Sequence, residues 1–205
     1  MIEFIRPILN LPFFYEGYHH LIGADYRSRV LVDEYIEPKP GDRILDIGCG
    51  PGNMLPFLPE CRYVGFDANP TYIESAKKRY SDRGEFHSGR VSHHNIQEFS
   101  TFDIVLALGL LHHLDDNEGC DLFRLAKGAL KPGGRMITND GCYVDSQSAV
   151  KRYLLSRDRG RYVRTAPQYE ALAGTQFQMI ASYIREDVLK IPYTHLVMVC
   201  TREWS

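Results

Sequence analysis

The sequence lacks the features that mark several classes of protein. Its five cysteines include no CxxC pair or other metal-ligand spacing, and three of them lie inside apolar runs. This pattern predicts buried thiols in a reducing compartment and no structural zinc. No sign of charge dominates, because 24 Lys and Arg stand against 26 Asp and Glu for a formal net charge of −2. Such a balance gives no global attraction to nucleic acid or to an anionic membrane.

Long hydrophobic runs, internal repeats and low-complexity segments are also missing. The first twenty residues carry Glu3 and Arg6, are interrupted by Pro7 and Pro12, and contain no small-residue cleavage site. They predict neither a signal peptide nor a transmembrane helix, so we expect a cytoplasmic protein. At 205 residues, with 44% hydrophobic and 24% charged residues, the chain fits a single soluble domain over 1–205.

What the sequence does contain is an alternation of strand-like and helix-like segments. Asn69 before Pro70 predicts a helix start, and Asp115 with Glu118 has the spacing of a capping box. This alternation predicts a parallel sheet with helices on both faces, which is an α/β fold. The first five predicted strands are 43–47, 62–66, 85–91, 102–108 and 135–139.

The two ends of the chain depart from the alternation. Strand-like runs at 177–184 and 194–202 are joined by a link too short for a crossover helix. They predict an antiparallel C-terminal hairpin at the sheet edge. Residues 1–38 are amphipathic and are expected to form an N-terminal helical cap.

The most informative segment is ILDIGCGPGN, residues 44–53, in which a glycine-rich turn follows a short strand directly. Gly48, Gly50 and Gly52 allow the backbone to turn sharply and to approach a ligand at the carboxyl end of the strand. The spacing is GxGxG, whereas the dinucleotide fingerprint is GxGxxG, which disfavours a nicotinamide cofactor. The Gly-Lys-Ser/Thr ending of a Walker phosphate loop is absent.

Two carboxylates flank this turn. Asp46 precedes it, and would repel a pyrophosphate but attract a cationic group such as an ammonium or a sulfonium. Asp67 ends the second predicted strand, where a carboxylate can accept hydrogen bonds from both hydroxyls of a ribose. A ribose at one acid and an amino-acid ammonium near the other describe S-adenosyl-L-methionine.

Four segments occur in a characteristic order: ILDIGCGPG (44–52), VGFD (64–67), FDIVLALGLLHHLDD (102–116) and LKPGG (130–134). Together they resemble the class I S-adenosylmethionine-dependent methyltransferase family. The resemblance implies a Rossmann-like seven-stranded sheet in which only the last strand is antiparallel. The tail segments RDRGRYVRTAPQY and IPYTHLVMVC resemble a branch of small bacterial methyltransferases with unassigned substrates. We expect cofactor contacts at Asp46, Gly48, Cys49, Gly50, Asp67, Ala68, Val91, Ser92 and Leu108.

The adenine contact departs from the family's pattern. The family often carries an acidic residue after the third strand, whereas the stretch HSGRVSHHNI has Arg90 there. The Val91 backbone and the side chains of Ser92 and Asn95 are the alternatives for this contact.

Candidate catalytic groups follow the fourth and fifth strands. His112 and His113 are expected either to contact the methionine part of the cofactor or to act as general base, or one of them packs or caps the next helix. Asp140 either binds substrate, orients a base, or serves as a turn residue. Tyr193 and His195, at the start of the last strand, are expected to lie at the far end from the cofactor and to be structural.

Two further segments are candidates for substrate binding. His19 and His20 form either a lid over the cofactor or a solvated pair on a surface helix. In the class I fold the segment between the fifth and sixth strands, here 140–176, often covers the substrate pocket. Within it, 151–164 has six basic residues and one acid, Asp158. This run predicts either a cationic lid for an acidic or phosphorylated acceptor, or a solvated helix face.

These observations predict an S-adenosylmethionine-dependent methyltransferase that acts on a small molecule by in-line transfer, with oxygen as the favoured acceptor atom. The alternatives are a tRNA or protein methyltransferase that docks through 151–164, and a non-catalytic cofactor-binding module. The balanced charge and the lack of an RNA-binding module disfavour nucleic acid. No metal site and no membrane association are predicted, and no feature of the sequence indicates an oligomeric state.

Overall fold

The structure is a computed structural model that describes residues 23–96, 98–157 and 160–204. Within these ranges the chain forms a single sheet flanked by helices. The strands are β1 Arg43–Ile47, β2 Arg62–Asp67, β3 Gly84–Ser88, β4 Phe102–Leu108, β5 Leu130–Tyr143, β6 Arg164–Thr165, β7 Met179–Arg185 and β8 His195–Thr201.

The strand order of the sheet is β3-β2-β1-β4-β5-β8-β7, and the two-residue strand β6 pairs with β5 outside this path. The first five strands pair in parallel. Strand β8 runs antiparallel to both of its neighbours, β5 and β7. The predicted fold class is therefore confirmed, with seven strands along the main path and β6 as an addition among the described residues.

Two helices begin where the sequence predicted helix starts. The Asn69 side chain accepts a hydrogen bond from the Thr71 N–H at 3.0 Å. Asp115 and Glu118 form a reciprocal capping box, with distances of 2.9 and 3.3 Å. The helices are α1 Ala24–Leu31, α2 Pro70–Tyr80, α3 His93–Ile96, α4 Asp116–Ala129, α5 Ala149–Ser156 and α6 Ala166–Gly174; a π-helical turn Val32–Ile36 continues α1, and 3-10 turns occur at Leu55–Phe57 and Leu111–His113.

Both faces of the sheet are covered. Leu45 and its neighbours on one face pack against a core that includes Phe123 of α4 and Tyr169 of α6. Ile44 and its neighbours on the other face pack against a core that includes Ile73 of α2. Adjacent residues of β1 thus serve opposite cores, as the alternation of side chains along a strand requires.

Several predicted strand boundaries differ from the observed ones. Strand β3 ends at Ser88 rather than at residue 91, because Gly89 takes a φ of +127° and its N–H donates to the Asp67 carbonyl at 2.9 Å. Strand β5 begins at Leu130, because Leu130 pairs with Phe102 of β4; the register then shifts across the KPGG segment and pairing resumes at Arg135. The hairpin strands differ from the prediction by one or two residues at each end.

Candidate active site

The turn after β1 has left-handed backbone at three glycines. Gly48, Gly50 and Gly52 have φ of +79°, +55° and +80°, a conformation that costs glycine little. The N–H groups of Gly48 and Cys49 donate to the Phe66 carbonyl of β2 at 2.8 and 3.0 Å. A Cβ on Gly50 would meet no described atom within 4 Å. The turn is therefore fixed against β2 and leaves space for a ligand above Gly50.

Asp67 faces this turn from the end of β2. Its Oδ2 accepts a hydrogen bond from the Gly50 N–H at 2.9 Å, and its Oδ1 accepts one from the Asn69 N–H at 2.8 Å. One hydrogen bond to each oxygen leaves further lone pairs on the carboxylate. The side chain is half-buried and Ala68 beside it is exposed. The carboxylate is thus oriented by the backbone and keeps acceptor capacity for a pair of hydroxyl groups.

Asp46 is buried on the sheet face that packs against α2. Its Oδ2 accepts a hydrogen bond from the Tyr63 hydroxyl at 2.7 Å. Burial raises the pKa of Asp46 to about 7, the Tyr63 hydrogen bond opposes the rise, and the negative charge of Asp67 adds to it. Burial, with Asp46 and Asp67 nearby, also raises the pKa of the Cys49 thiol well above its ordinary range. Tyr63 was not among the predicted site residues.

The loop after β3 uses its polar side chains locally. The Asn95 Oδ1 accepts from the Ser92 N–H at 2.8 Å, and the Ser92 hydroxyl accepts from the Asn95 N–H at 3.3 Å. Arg90 forms an ion pair with Glu118 at 2.9 Å. Val91 is partly buried and packs against the core. The contacts of this loop with adenine stay a prediction.

His112, in the turn after β4, and Asp140, within β5, form a buried pair. The His112 Nδ1 lies 2.8 Å from the Asp140 Oδ1, and the side chains are 11% and 2% exposed. The His112 backbone N–H donates to the same oxygen at 3.2 Å. The buried Oδ2 of Asp140 has no hydrogen-bond partner in the described part of the chain. A carboxylate at Nδ1 favours the tautomer with a proton on that nitrogen and the lone pair on Nε2.

The neighbouring residues are placed differently. His113 is exposed, and its ring centroid lies 4.2 Å from that of His112. Leu108 ends β4 beside Asn139, its partner on β5. Asn139 is buried on the face opposite Asp140, and its Oδ1 has no hydrogen-bond partner among the described residues. Asn139 was not among the predicted site residues, because nothing in the sequence pattern distinguishes it from a turn residue.

The prediction that Tyr193 and His195 lie far from the cofactor end is wrong. An antiparallel strand begins at the edge where its parallel neighbours end, and His195 pairs with Gly141 of β5. A Cβ on Gly141 would collide with the Tyr193 hydroxyl. The rings of Tyr193 and His195 lie 4.8 Å apart between centroids. Both residues therefore belong to the same edge as Asp140.

Fewer charges of the basic segment 151–164 are available to bind an anionic ligand than its composition predicts. Arg164 is 7% exposed, and its guanidinium donates to Asp116 at 2.7 Å. Lys151 pairs with Glu186 at 2.6 Å. The expectation that Arg164 contributes to a cationic surface is therefore wrong, and the charge of Lys151 is neutralised. The remaining Arg164 bonds go to the carbonyls of Leu111, Leu114 and Tyr162.

Some predictions fall outside the described residues. His19 and His20 do, as do most of the predicted cap over 1–38 and the pair Asp158 and Arg159 of the basic segment. In the ranges that are described, no group of three or more His, Cys, Asp and Glu is arranged to hold a metal ion. None of the helices described has the length and apolar character needed to cross a membrane.

Residues 44–134 match the family model of a methyltransferase domain. The chain is 31% identical over 121 residues to 27-O-demethylrifamycin SV methyltransferase of Amycolatopsis mediterranei, covering 55% of this chain and 43% of that protein. It is 28% identical over 183 residues to tRNA U34 carboxymethyltransferase of Pseudoalteromonas atlantica, covering 84% of this chain and 54% of that protein. The chain thus spans about half the length of these relatives.

The fold agrees with this match. The apo structure of the S-adenosylmethionine-dependent methyltransferase SibL superposes with a TM-score of 0.69 at 20% identity, covering 93% of this chain and 58% of that one. The matched residues contain the glycine turn, both flanking carboxylates and the β4 end, in the topology that the sequence predicted. Residues 44–134 thus match a methyltransferase domain, and the chain is similar in sequence to methyltransferases and in fold to an S-adenosylmethionine-dependent methyltransferase.

Proposed function

We propose that the protein transfers the methyl group of S-adenosylmethionine to an oxygen atom of a small-molecule acceptor. The observation that carries this proposal is the His112–Asp140 pair, at the same sheet edge as the glycine turn and Asp67. An alcohol or phenol must lose its proton to be methylated, and a histidine oriented by a carboxylate is suited to take it.

The residues present fit this cofactor in their chemistry. Asp67 has lone pairs left for the two hydroxyls of a ribose, and the space above Gly50 admits a ligand to the backbone. Asp46 offers negative charge to an ammonium beside the turn. When bound, S-adenosylmethionine supplies an electrophilic methyl group on a sulfonium, whose departure as a neutral thioether needs no acid.

In the proposed reaction the chain's residues position the acceptor and move one proton. His112 takes the hydroxyl proton at Nε2 while the acceptor oxygen bonds to the methyl carbon. Asp140 holds the Nδ1 proton and stabilises the imidazolium that results. Orientation of the reacting atoms in line can contribute roughly 7–11 kcal/mol of the barrier reduction.

We further propose that 140–176 is the lid of this site. A Cβ on Gly141 would lie 2.8 Å from Leu155 of α5, which places that helix against the end of β5. The Tyr162 N–H donates to the His112 carbonyl at 3.0 Å. A Cβ on Gly160 would collide with the His112 ring. The segment is thus in contact with the proposed base, where a cover over the acceptor must lie.

A second candidate is methylation of tRNA. It is favoured by the relative named for tRNA U34 modification, whose match extends over 84% of the chain. The engagement of Arg164 and Lys151 in internal contacts weakens it, since these charges are not available to bind phosphates.

Transfer of labelled methyl groups separates the two. The protein is incubated with methyl-labelled S-adenosylmethionine and, separately, with tRNA, with protein extract and with a small-metabolite extract. We expect label in the small-metabolite fraction, as an ether or ester. Label in tRNA alone would overturn the small-molecule proposal, and binding without transfer to any fraction would favour the non-catalytic module.

A further inference from the structure

We infer that Tyr63 is a positioning residue for the cofactor. Its hydroxyl keeps the Asp46 carboxylate ionised and directs it at the ammonium group of the cofactor. This inference rests on the proposed function. It adds a residue that lies outside the glycine turn and that the sequence pattern of the turn does not include.

Tyr63 can reach Asp46 because Gly65, which lies opposite Asp46, has no side chain. In the register of β1 and β2, Tyr63 lies opposite Ile44, and Gly65 lies opposite Asp46. Tyr63 must therefore lean along β2 by two residues to reach Asp46. A Cβ on Gly65 would lie 3.1 Å from the Tyr63 Cε1, so the ring passes over the space that Gly65 leaves. The phenol then donates to Asp46 at 2.7 Å.

The ring is fixed by packing as well. Tyr63 is 2% exposed, and a Cβ on Gly84 would lie 2.9 Å from its Cδ1. The Phe86 ring lies 5.7 Å away between centroids. Two glycines on adjacent strands thus make room for this tyrosine, and it cannot move away from Asp46 without repacking β2 and β3.

A buried carboxylate needs this partner more than an exposed one does. Asp46 is 2% exposed, and the Tyr63 hydroxyl is the hydrogen-bond donor that contacts it among the described residues. The N–H groups of Gly48 and Cys49 are directed instead at the Phe66 carbonyl. The titratable groups that face Asp46 are Tyr63, Cys49 and Asp67. None of them carries positive charge, so the phenol is what favours the ionised form before the cofactor arrives.

This role of Tyr63 predicts the direction in which pH changes the affinity for the cofactor. The cofactor's ammonium binds the ionised form of Asp46, so cofactor binding releases a proton where Asp46 is partly protonated. Removing the Tyr63 hydroxyl raises the pKa of Asp46 and enlarges the protonated fraction near neutral pH. Relative to the wild type, affinity is then lost near neutrality and recovered as pH rises, whereas the absolute affinity of both proteins falls once the ligand's own α-amino group loses its proton at about pH 8.

The test is calorimetry of Tyr63→Phe, with S-adenosylmethionine and with its demethylated product, at pH 6.5, 7.5 and 9. Phenylalanine keeps the ring and its packing. We expect both ligands, which share the ammonium, to bind roughly tenfold more weakly at pH 7.5, with the loss largely recovered at pH 9. In an Asp46→Asn background, Tyr63→Phe should cause no further pH-dependent loss.

The control is Tyr35→Phe, which removes another buried phenol whose hydroxyl accepts from Arg185 at 2.6 Å. It should leave both affinities unchanged. An unchanged affinity of Tyr63→Phe, an equal loss at every pH, or a loss confined to the sulfonium form would overturn the inference. Failure of the wild-type protein to bind either ligand would instead refute the proposed function.

Discussion

The Nδ1 atom of His112 lies 2.8 Å from Oδ1 of Asp140, although 28 residues separate the two along the chain. Strands β4 and β5 pair in parallel; β4 ends at Leu108 beside Asn139, and β5 continues to Tyr143, which brings the turn after β4 beside Asp140. Both side chains are buried, so the imidazole is held in one orientation. In the proposed function, this pair is what allows the site to deprotonate an acceptor rather than only to bind a cofactor.

The first prediction concerns this pair. His112→Gln should lower kcat for the acceptor found by labelling by about 10²–10⁴-fold, because the proton must then leave without a base. Affinity for S-adenosylmethionine should stay within twofold. His113→Gln, at the exposed neighbour, is the control and should keep most of the activity. Full activity of His112→Gln would refute base-assisted transfer to oxygen.

The second prediction concerns the ribose contact. Asp67→Ala should lower the affinity for S-adenosylmethionine by ~10–100-fold, because hydrogen bonds to a charged group contribute about 1.5–3 kcal/mol. Asp82→Ala, at an exposed acid after α2, is the matched control and should bind normally. Equal dissociation constants for the two variants would count against Asp67 as the ribose ligand.

The third prediction links Asp46 to stability. Burial raises its pKa to about 7 in the folded protein, against an ordinary value of 3.8. The folded state therefore holds this proton more tightly than the unfolded state, and the stability that the protonated form contributes is lost as pH rises through about 7. Asp46→Asn avoids this loss. It should be more stable than the wild type by a few kcal/mol at pH 8, with a smaller difference at pH 5.

Urea unfolding at the two pH values, on wild type and Asp46→Asn, measures that difference. The same variant should bind S-adenosylmethionine more weakly, since the counter-charge is gone. If Asp46→Asn is less stable than the wild type at pH 8, the buried carboxylate does not destabilise the folded state as its burial indicates.

The fourth prediction separates structure from docking in the basic segment. Arg164→Ala leaves the carbonyls of Leu111, Leu114 and Tyr162 without this donor. We expect the free energy of unfolding to fall by about 1–3 kcal/mol, which corresponds to a fall in Tm of about 2–4 °C per kcal/mol. Arg161→Ala, at an exposed position, should change Tm little. Equal melting temperatures for the two variants would contradict the structural role of Arg164.

The sequence predicted those features that local chemistry determines. The caps at Asn69 and Asp115 depend on neighbours within three residues, and both are confirmed. The position of the glycine turn could be predicted because residues without side chains directly follow a strand, and that of Asp67 because it stands at the end of the next strand. Which of two adjacent histidines meets Asp140 depends on the turn at Leu111–His113, and the sequence left that open.

The errors and omissions involve contacts between strands. Tyr63 looked like an ordinary strand residue, because its reach to Asp46 depends on Gly65 lying opposite that acid. Arg164 looked like one of six solvated bases, because its carbonyl partners lie about fifty residues earlier in the chain. The predicted antiparallel pairing of the last strand was correct, and it places His195 at the sheet edge that carries Asp140. The error was to place the start of that strand at the opposite edge.

The most direct test of the central claim is a crystal structure of the protein with S-adenosylhomocysteine. We predict that the two ribose hydroxyls donate to Asp67 and that the amino-acid end lies over Gly48–Gly50, with its ammonium toward Asp46. Adenosine bound elsewhere, or a pyrophosphate seated on the glycine turn, would contradict the account.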